Sequence, residues 1–99
     1  MNLNVGDVVT NTLNVLGCRP GCRGVVYDIY DDFDIPEKNG VSIIFENGKY
    51  DGFSYEEQHL MLNQEPAARI PYKIKDYKFE NVMKLSQDYK NGFWDEIFR

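Results

Sequence analysis

Hydrophobic and polar residues alternate over short stretches of the first half of the chain, with the two-residue period of a β-strand. Such stretches cover residues 5–9, 23–30, 41–46 and 49–53, and the segments between them are rich in glycine, asparagine and proline. In the second strand the alternation places Val25, Tyr27 and Ile29 on one face and Val26, Asp28 and Tyr30 on the other. The pattern predicts a small twisted β-barrel.

The turn between the third and fourth predicted strands is Asn47-Gly48. This dipeptide is typical of a two-residue type I′ turn. In that register Glu46 faces Lys49 and Phe45 faces Tyr50, which gives one opposite-charge pair and one aromatic pair across the hairpin. We therefore expect both pairs to stabilise it.

Helix signals follow the fourth strand. The sequence Ser54-Tyr55-Glu56-Glu57 has the form of a capping box and predicts a short helix over residues 55–62. Residues 63–68 then form a predicted linker, and the alternation over 70–79 predicts the last strand. The spacing of apolar residues over 80–91 predicts a C-terminal helix.

The glycine and valine positions of the first two strands carry a family resemblance. The segments Val5-Gly6-Asp7-Val8-Val9 and Gly24-Val25-Val26, with Gly21 between them and Ile29 after them, resemble the KOW pattern. The predicted helical turn lies where such barrels carry theirs. The first 62 residues therefore resemble an SH3-like barrel of the KOW or Tudor type, a class that binds RNA or proteins through basic or aromatic loop residues.

A chain of 99 residues is expected to form a single domain. We predict a mainly β protein with some α-helix, in which residues 1–79 form a five-stranded SH3-like barrel. Residues 80–99 form a C-terminal helix and an aromatic tail packed on that barrel.

The charge of the chain is unevenly distributed. The net charge is −5, and residues 1–66 hold four basic and eleven acidic side chains, whereas residues 67–99 hold seven basic and five acidic ones. An acidic barrel repels nucleic acid at long range, so this distribution disfavours non-specific nucleic-acid binding.

Aromatic residues and carboxylates interleave between the second and third predicted strands. In SH3 domains such a surface binds proline-rich peptides that carry a basic residue, and Tudor-type barrels bind methylated cations with an aromatic cage, here Tyr30, Phe33, Tyr50 and Tyr55. The alternative is that these aromatics fill the core. We predict a non-enzymatic module that binds a protein with a basic surface, through these residues: Tyr30, Asp32, Phe33, Asp34, Tyr50 and Trp94.

Two alternative functions remain open. The KOW resemblance implies binding of RNA or DNA, for which the basic candidates are Arg19, Arg23, Lys73, Lys75 and Lys78. The small size and acidity of the chain are also typical of an inhibitor or immunity-type protein that masks a basic site.

The sequence offers little support for catalysis, metal binding or a cofactor. Cys18 and Cys22 frame a Pro20-Gly21 pair that suits a type II turn, and they would be free thiols in a reducing cytosol. Neighbouring arginines would favour the thiolate if the two cysteines formed a redox pair. A zinc site normally has four ligands, and the chain offers only these two thiols and a single histidine, His59. Four acidic residues close in sequence could offer oxygen ligands to calcium, but they lack the EF-hand spacing, which favours a solvated acidic loop: Asp28, Asp32, Asp34 and Glu37.

The two ends of the chain complete the prediction. Residues 1–4 show no signal-peptide pattern and no stretch suits a membrane span, so we expect a cytoplasmic protein. The C-terminal group Phe93, Trp94, Ile97 and Phe98 either packs on the barrel or contacts a partner or a second copy of the chain.

Overall fold

The computed structural model describes residues 3–30, 39–63, 68–69, 77 and 82–98. These residues form a small β+α protein built on an antiparallel sheet. Four strands, each paired with the next along the chain, make up this sheet: β1 (Asp7–Thr10), β2 (Arg23–Tyr30), β3 (Gly40–Phe45) and β4 (Tyr50–Phe53).

The edge of the sheet beside β1 differs from the prediction. A two-residue segment, β5 (Ala68–Arg69), pairs antiparallel with β1, although Ala68 fell in the predicted linker. The predicted strand over 70–79 lies outside the described residues except for Tyr77, which has no regular secondary structure. Among the described strands the order is β4-β3-β2-β1-β5, an open sheet with β4 at one edge.

Three helical segments follow the fourth strand: α1 (Tyr55–Met61), α2 (Val82–Lys90) and the single turn α3 (Asp95–Phe98). The predicted capping box of α1 is confirmed. The Ser54 hydroxyl accepts a hydrogen bond from the Glu57 N–H at 3.2 Å, and the Glu57 carboxylate accepts one from the Ser54 N–H at 3.0 Å. No helix in the described part of the chain combines the length and apolar character needed to cross a membrane.

The turn of the β3–β4 hairpin is longer than predicted. The Phe45 N–H donates to the Lys49 carbonyl at 2.9 Å, and the Gly48 N–H donates to the Phe45 carbonyl at 2.8 Å. Only Gly48 in this turn has a positive φ, at +83°, whereas a type I′ turn needs one at Asn47 as well. The loop therefore contains residues 46–48, the pattern of a type I turn followed by a glycine bulge.

This turn changes the register of the hairpin by one residue. Tyr50 pairs with Ile44, so the predicted Glu46–Lys49 and Phe45–Tyr50 pairs are wrong. The physical reason lies in β2. The Glu46 N–H donates to the Arg23 carbonyl at 3.0 Å, which keeps Glu46 hydrogen-bonded towards β2 rather than across the hairpin.

Both faces of the sheet are buried. We call the face covered by α1 and residues 11–22 the loop face; its buried residues are Leu3, Val9, Val15, Cys18, Val26, Val41, Ile43, Phe45, Phe53 and Leu62. The opposite face is covered by α2 and the residues after it, and we call it the C-terminal face. Its buried residues are Val8, Val25, Tyr27, Ile44, Leu85 and Trp94. Each strand of the central pair therefore carries apolar side chains on both sides.

A β-bulge in β2 determines which side chains reach each face. Val26 pairs with Ile43 but Asp28 pairs with Ser42, so Tyr27 is an extra residue. As a result Ile29 packs on the loop face. The predicted grouping of Ile29 with Tyr27 is therefore wrong after the bulge.

Candidate partner-binding surfaces

Tyr30 lies flat across two neighbouring strands at the end of the C-terminal face. Its ring occupies the space where a side chain at Gly40 would lie, and its hydroxyl is 3.1 Å from the position of a Cβ at Gly52. Tyr30 pairs directly with Gly40, and 41% of its surface is exposed. Because Gly40 and Gly52 have no side chains, the partly exposed ring of Tyr30 can pack directly against the backbone of the two strands.

Two further tyrosines share this face. Tyr27 is buried and Tyr50 is half-buried, and both pack with the cluster of the C-terminal face. Together with Tyr30 and the exposed Asp28 they form what we call the tyrosine face. Tyr50 pairs with Ile44 and Tyr30 with Gly40, so the two tyrosines are four residues apart along β3, roughly 13 Å.

The tyrosine face has a negative electrostatic environment. The pKa of Tyr27 is raised to about 12, chiefly because the phenol is buried; a hydrogen bond with Ser42 lowers it, and the nearby charges of Tyr50, Asp28 and Asp51 contribute to the rise. Carboxylates that disfavour a phenolate also favour a cation at the same place. This environment suits a basic group from a partner.

The structure brings together only part of the predicted contact surface. Tyr30 and Tyr50 lie on the same face, and Asp32, Phe33 and Asp34 lie outside the described residues. Tyr55 belongs to α1, where its ring packs edge-on against His59 with centroids 4.5 Å apart. The predicted cage of four aromatics is therefore not assembled by the described residues.

Trp94 is not available for contact. It is fully buried beneath the C-terminal face, with its ring centroid 5.1 Å from that of Tyr77 and 5.2 Å from that of Phe93. Phe98 is half-buried against the same cluster, while Phe93 remains 38% exposed. Trp94 therefore packs as a core residue against the C-terminal face of the sheet. A partner would reach it only if the C-terminal segment moved.

The predicted basic surface is described at two of its five positions. Arg19 is exposed, and Arg23 lies with its Nε 3.7 Å from the Glu46 carboxylate. The Arg23 N–H also donates to that carboxylate at 3.3 Å. Lys73, Lys75 and Lys78 lie outside the described residues. The described part of the predicted basic surface therefore consists of Arg19 and of Arg23, which is paired with Glu46.

The two cysteines are free thiols in a tight loop. The predicted type II turn is confirmed, because the Cys22 N–H donates to the Arg19 carbonyl at 3.2 Å and Gly21 has φ +90°. The pKa of Cys22 is raised to about 11, first because the thiol is partly buried and then because of hydrogen bonds with Cys18 and Glu46. The expectation that arginines favour a thiolate is therefore wrong for Cys22.

No metal-binding group was found where the structure describes the chain: residues 3–30, 39–63 and 82–98 contain no set of three His, Cys, Asp or Glu side chains placed to hold an ion. Asp28, one of the four calcium candidates, is exposed on β2. Asp32, Asp34 and Glu37 are outside the described residues.

A cleft that the sequence did not predict opens between the loop of residues 11–22, β4 and α1. We call it the α1 cleft; its volume is about 200 Å³, and it is lined by Asn14, Val15, Leu16, Asp51, Gly52, Phe53, Glu57 and Met61. Three separate segments contribute these residues, so no local motif could have identified them.

A type I′ turn forms one wall of the α1 cleft. Val15 and Cys18 exchange both backbone hydrogen bonds, at 3.1 and 2.8 Å, and Leu16 and Gly17 between them have φ +51° and +83°. Leucine rarely adopts this left-handed conformation. The Asn47 amide donates to the Leu16 carbonyl at 3.0 Å, which ties the turn to the β3–β4 hairpin.

Comparisons with protein-family models, curated proteins and solved structures found no match to this chain.

Proposed function

We propose that this protein is a non-enzymatic interaction module that binds a protein partner with a basic surface through the tyrosine face. The observation that carries the proposal is the bulge in β2, which places the exposed ring of Tyr30 on the same side as Tyr50, beside Asp28. Exposed aromatic rings next to carboxylates are the chemistry that recognises lysine and arginine. Asp32, Phe33 and Asp34, which the sequence predicts as contact residues, belong to the same proposal.

An SH3-like barrel is the fold that we propose for the complete domain. Three features support it: the antiparallel order of β1 to β4, the capped helix directly after β4, and the bridge between Asn11 and Leu62 that curls the end of β1 towards α1. An SH3-like barrel also needs a strand that closes it, and the sequence predicts that strand over residues 70–79. A cytoplasmic location belongs to the same proposal.

The test is quantitative affinity capture from native lysate, with nuclease treatment, at low and high salt. Asp28→Lys reverses a charge within the tyrosine face, and Glu56→Lys makes the same change at an exposed site on α1. We expect a salt-sensitive protein partner that survives nuclease, is lost with Asp28→Lys and is retained with Glu56→Lys.

Two results would contradict the proposal. A partner retained equally by both variants would remove the tyrosine face as the contact. Nucleic acid in the capture, or partners lost on nuclease treatment, would favour the alternative function as a KOW-like RNA- or DNA-binding module. An inhibitor or immunity-type protein would instead be revealed by a captured partner whose active site is basic.

A further inference from the structure

We infer that the α1 cleft is a second contact site, which accepts one long basic side chain, a lysine or an arginine, from the partner. The inference rests on the proposed function for the identity of the partner as a basic protein. The floor, the rim and the size of the cleft support the inference independently.

The floor of the cleft is apolar. Val15 and Phe53 are buried at its base, and Leu16 and Met61 pack beside them while remaining partly exposed. Lysine and arginine carry a stem of three or four methylene groups below the charged head. An apolar floor suits that stem, because burying methylene groups is favourable whereas burying the charge is not.

The rim of the cleft is acidic. Asp51 on β4 and Glu57 on α1 both line it, from two different walls. One oxygen of Asp51 accepts the Gly52 N–H at 2.8 Å, and one oxygen of Glu57 accepts the Ser54 N–H at 3.0 Å. Within residues 3–30 and 39–63 the second oxygen of each accepts no hydrogen bond. Each carboxylate thus retains acceptor capacity for a cation at the mouth of the cleft.

The size of the cleft favours a single side chain over a small-molecule ligand. Its volume of about 200 Å³ is below the range of roughly 300–1,000 Å³ typical of small-molecule sites. Its wall is also held in place before binding, since Leu16 is fixed by the type I′ turn and by the hydrogen bond from Asn47. A prearranged wall loses little conformational entropy when the side chain enters.

The experiment is an NMR titration of the full chain with N-acetyl-lysine-N-methylamide as the probe. The analogue N-acetyl-norleucine-N-methylamide keeps an apolar stem and lacks the ammonium group. We expect saturable shifts of the Leu16, Gly52, Phe53 and Glu57 amides with the lysine probe, and clearly weaker binding of the norleucine probe. The arginine analogue tests which basic side chain binds better.

The matched variants neutralise the rim without removing its structural hydrogen bonds. Asp51→Asn and Glu57→Gln keep an acceptor for Gly52 and for the capping box, so the fold should survive. Together they should weaken binding of the lysine probe about tenfold, because each exposed ion pair contributes a factor of up to about five. Glu56→Gln, outside the cleft, should leave the affinity unchanged.

The outcomes separate this inference from the proposed function. Equal binding of both probes, or shifts outside the cleft alone, would overturn the inference while leaving the Asp28→Lys capture experiment intact. Conversely, a partner that ignores Asp28→Lys while the lysine probe saturates the cleft would support the cleft and remove the tyrosine face. Unchanged affinity in the double variant would overturn the charged rim.

Discussion

The two faces of the sheet are both buried, but they are covered in different ways. The loop face is closed by chain that is near in sequence, residues 11–22 and α1, and its cluster is largely aliphatic. The C-terminal face is closed by residues 82–98, far from the strands in sequence, and its cover is rich in aromatic residues. The cover also stops short of Tyr30, which remains 41% exposed. The loop face thus belongs to the sheet's own half of the chain, whereas the C-terminal face depends on a distant segment.

Replacing Trp94 by alanine should have the largest effect on this difference. Trp94 is fully buried, so Trp94→Ala should lower the free energy of unfolding by about 3–5 kcal/mol through lost burial and the cavity left behind. Denaturant unfolding measures this loss. Hydrogen exchange should show that α2 loses protection while the loop face retains it.

Phe93→Ala is the matched control for Trp94→Ala, because the neighbouring Phe93 is 38% exposed. It should cost clearly less. Equal costs, or a uniform loss of protection across both faces, would mean that the two faces form one cooperative unit.

High pH should weaken the C-terminal face through Tyr27. The pKa of Tyr27 is about 12 in the folded protein and about 10 when unfolded, so folding favours the neutral phenol. Its stabilising effect is complete below about pH 10 and is lost as the pH rises to about 12, which corresponds to roughly 2–3 kcal/mol. Denaturant unfolding across that range should show a smaller alkaline loss in Tyr27→Phe.

Tyr55→Phe removes one phenol outside the C-terminal face and controls for the general effect of high pH. It should retain the alkaline loss of the unchanged protein. An equally steep alkaline loss in Tyr27→Phe would mean that another group is responsible.

The smallest expected effect is a coupling energy, measured with two adjacent valines. Val25 and Val26 are both fully buried and point to opposite faces. Each alanine variant should cost about 2 kcal/mol. In the Trp94→Ala background the cost of Val25→Ala should fall by about 1 kcal/mol, because the two cavities share neighbours, while that of Val26→Ala should not change. Double-mutant cycles from unfolding curves decide this, and equal coupling for both valines would remove the distinction between the faces.

Local signals in the sequence predicted the parts of the fold that depend on local chemistry. The bounds of β2 and the capping box of α1 are confirmed. The turn type predicted for Asn47-Gly48 was wrong, because this dipeptide is compatible both with a two-residue turn and with a longer loop that ends in a glycine bulge. The pairing of Glu46 with β2, 23 residues away, decides between them.

The type I′ turn occurs instead at Leu16-Gly17, where leucine gives no turn signal. The sequence does contain a signal that both faces of the sheet are buried. The runs Val25-Val26-Tyr27 and Ile43-Ile44-Phe45 are continuous, which indicates strands covered on two sides. The bulge that turns Tyr30 towards Tyr50, and the meeting of three segments at the α1 cleft, depend on tertiary packing. No spacing in the sequence predicts them.

The order in which the chain is synthesised gives the C-terminal face a separate significance. The β2–β3–β4 hairpins join neighbouring segments, so they can form on a nascent chain before α2 exists. Until residues 82–98 emerge, Val25, Tyr27 and Ile44 lie on an uncovered apolar face of the sheet, open to solvent or to a chaperone. The hydrogen bond from the Tyr89 hydroxyl to the Glu46 carbonyl, at 3.1 Å, joins α2 to the hairpin turn across 43 residues of sequence. Its formation accompanies the docking of α2, which covers these apolar side chains.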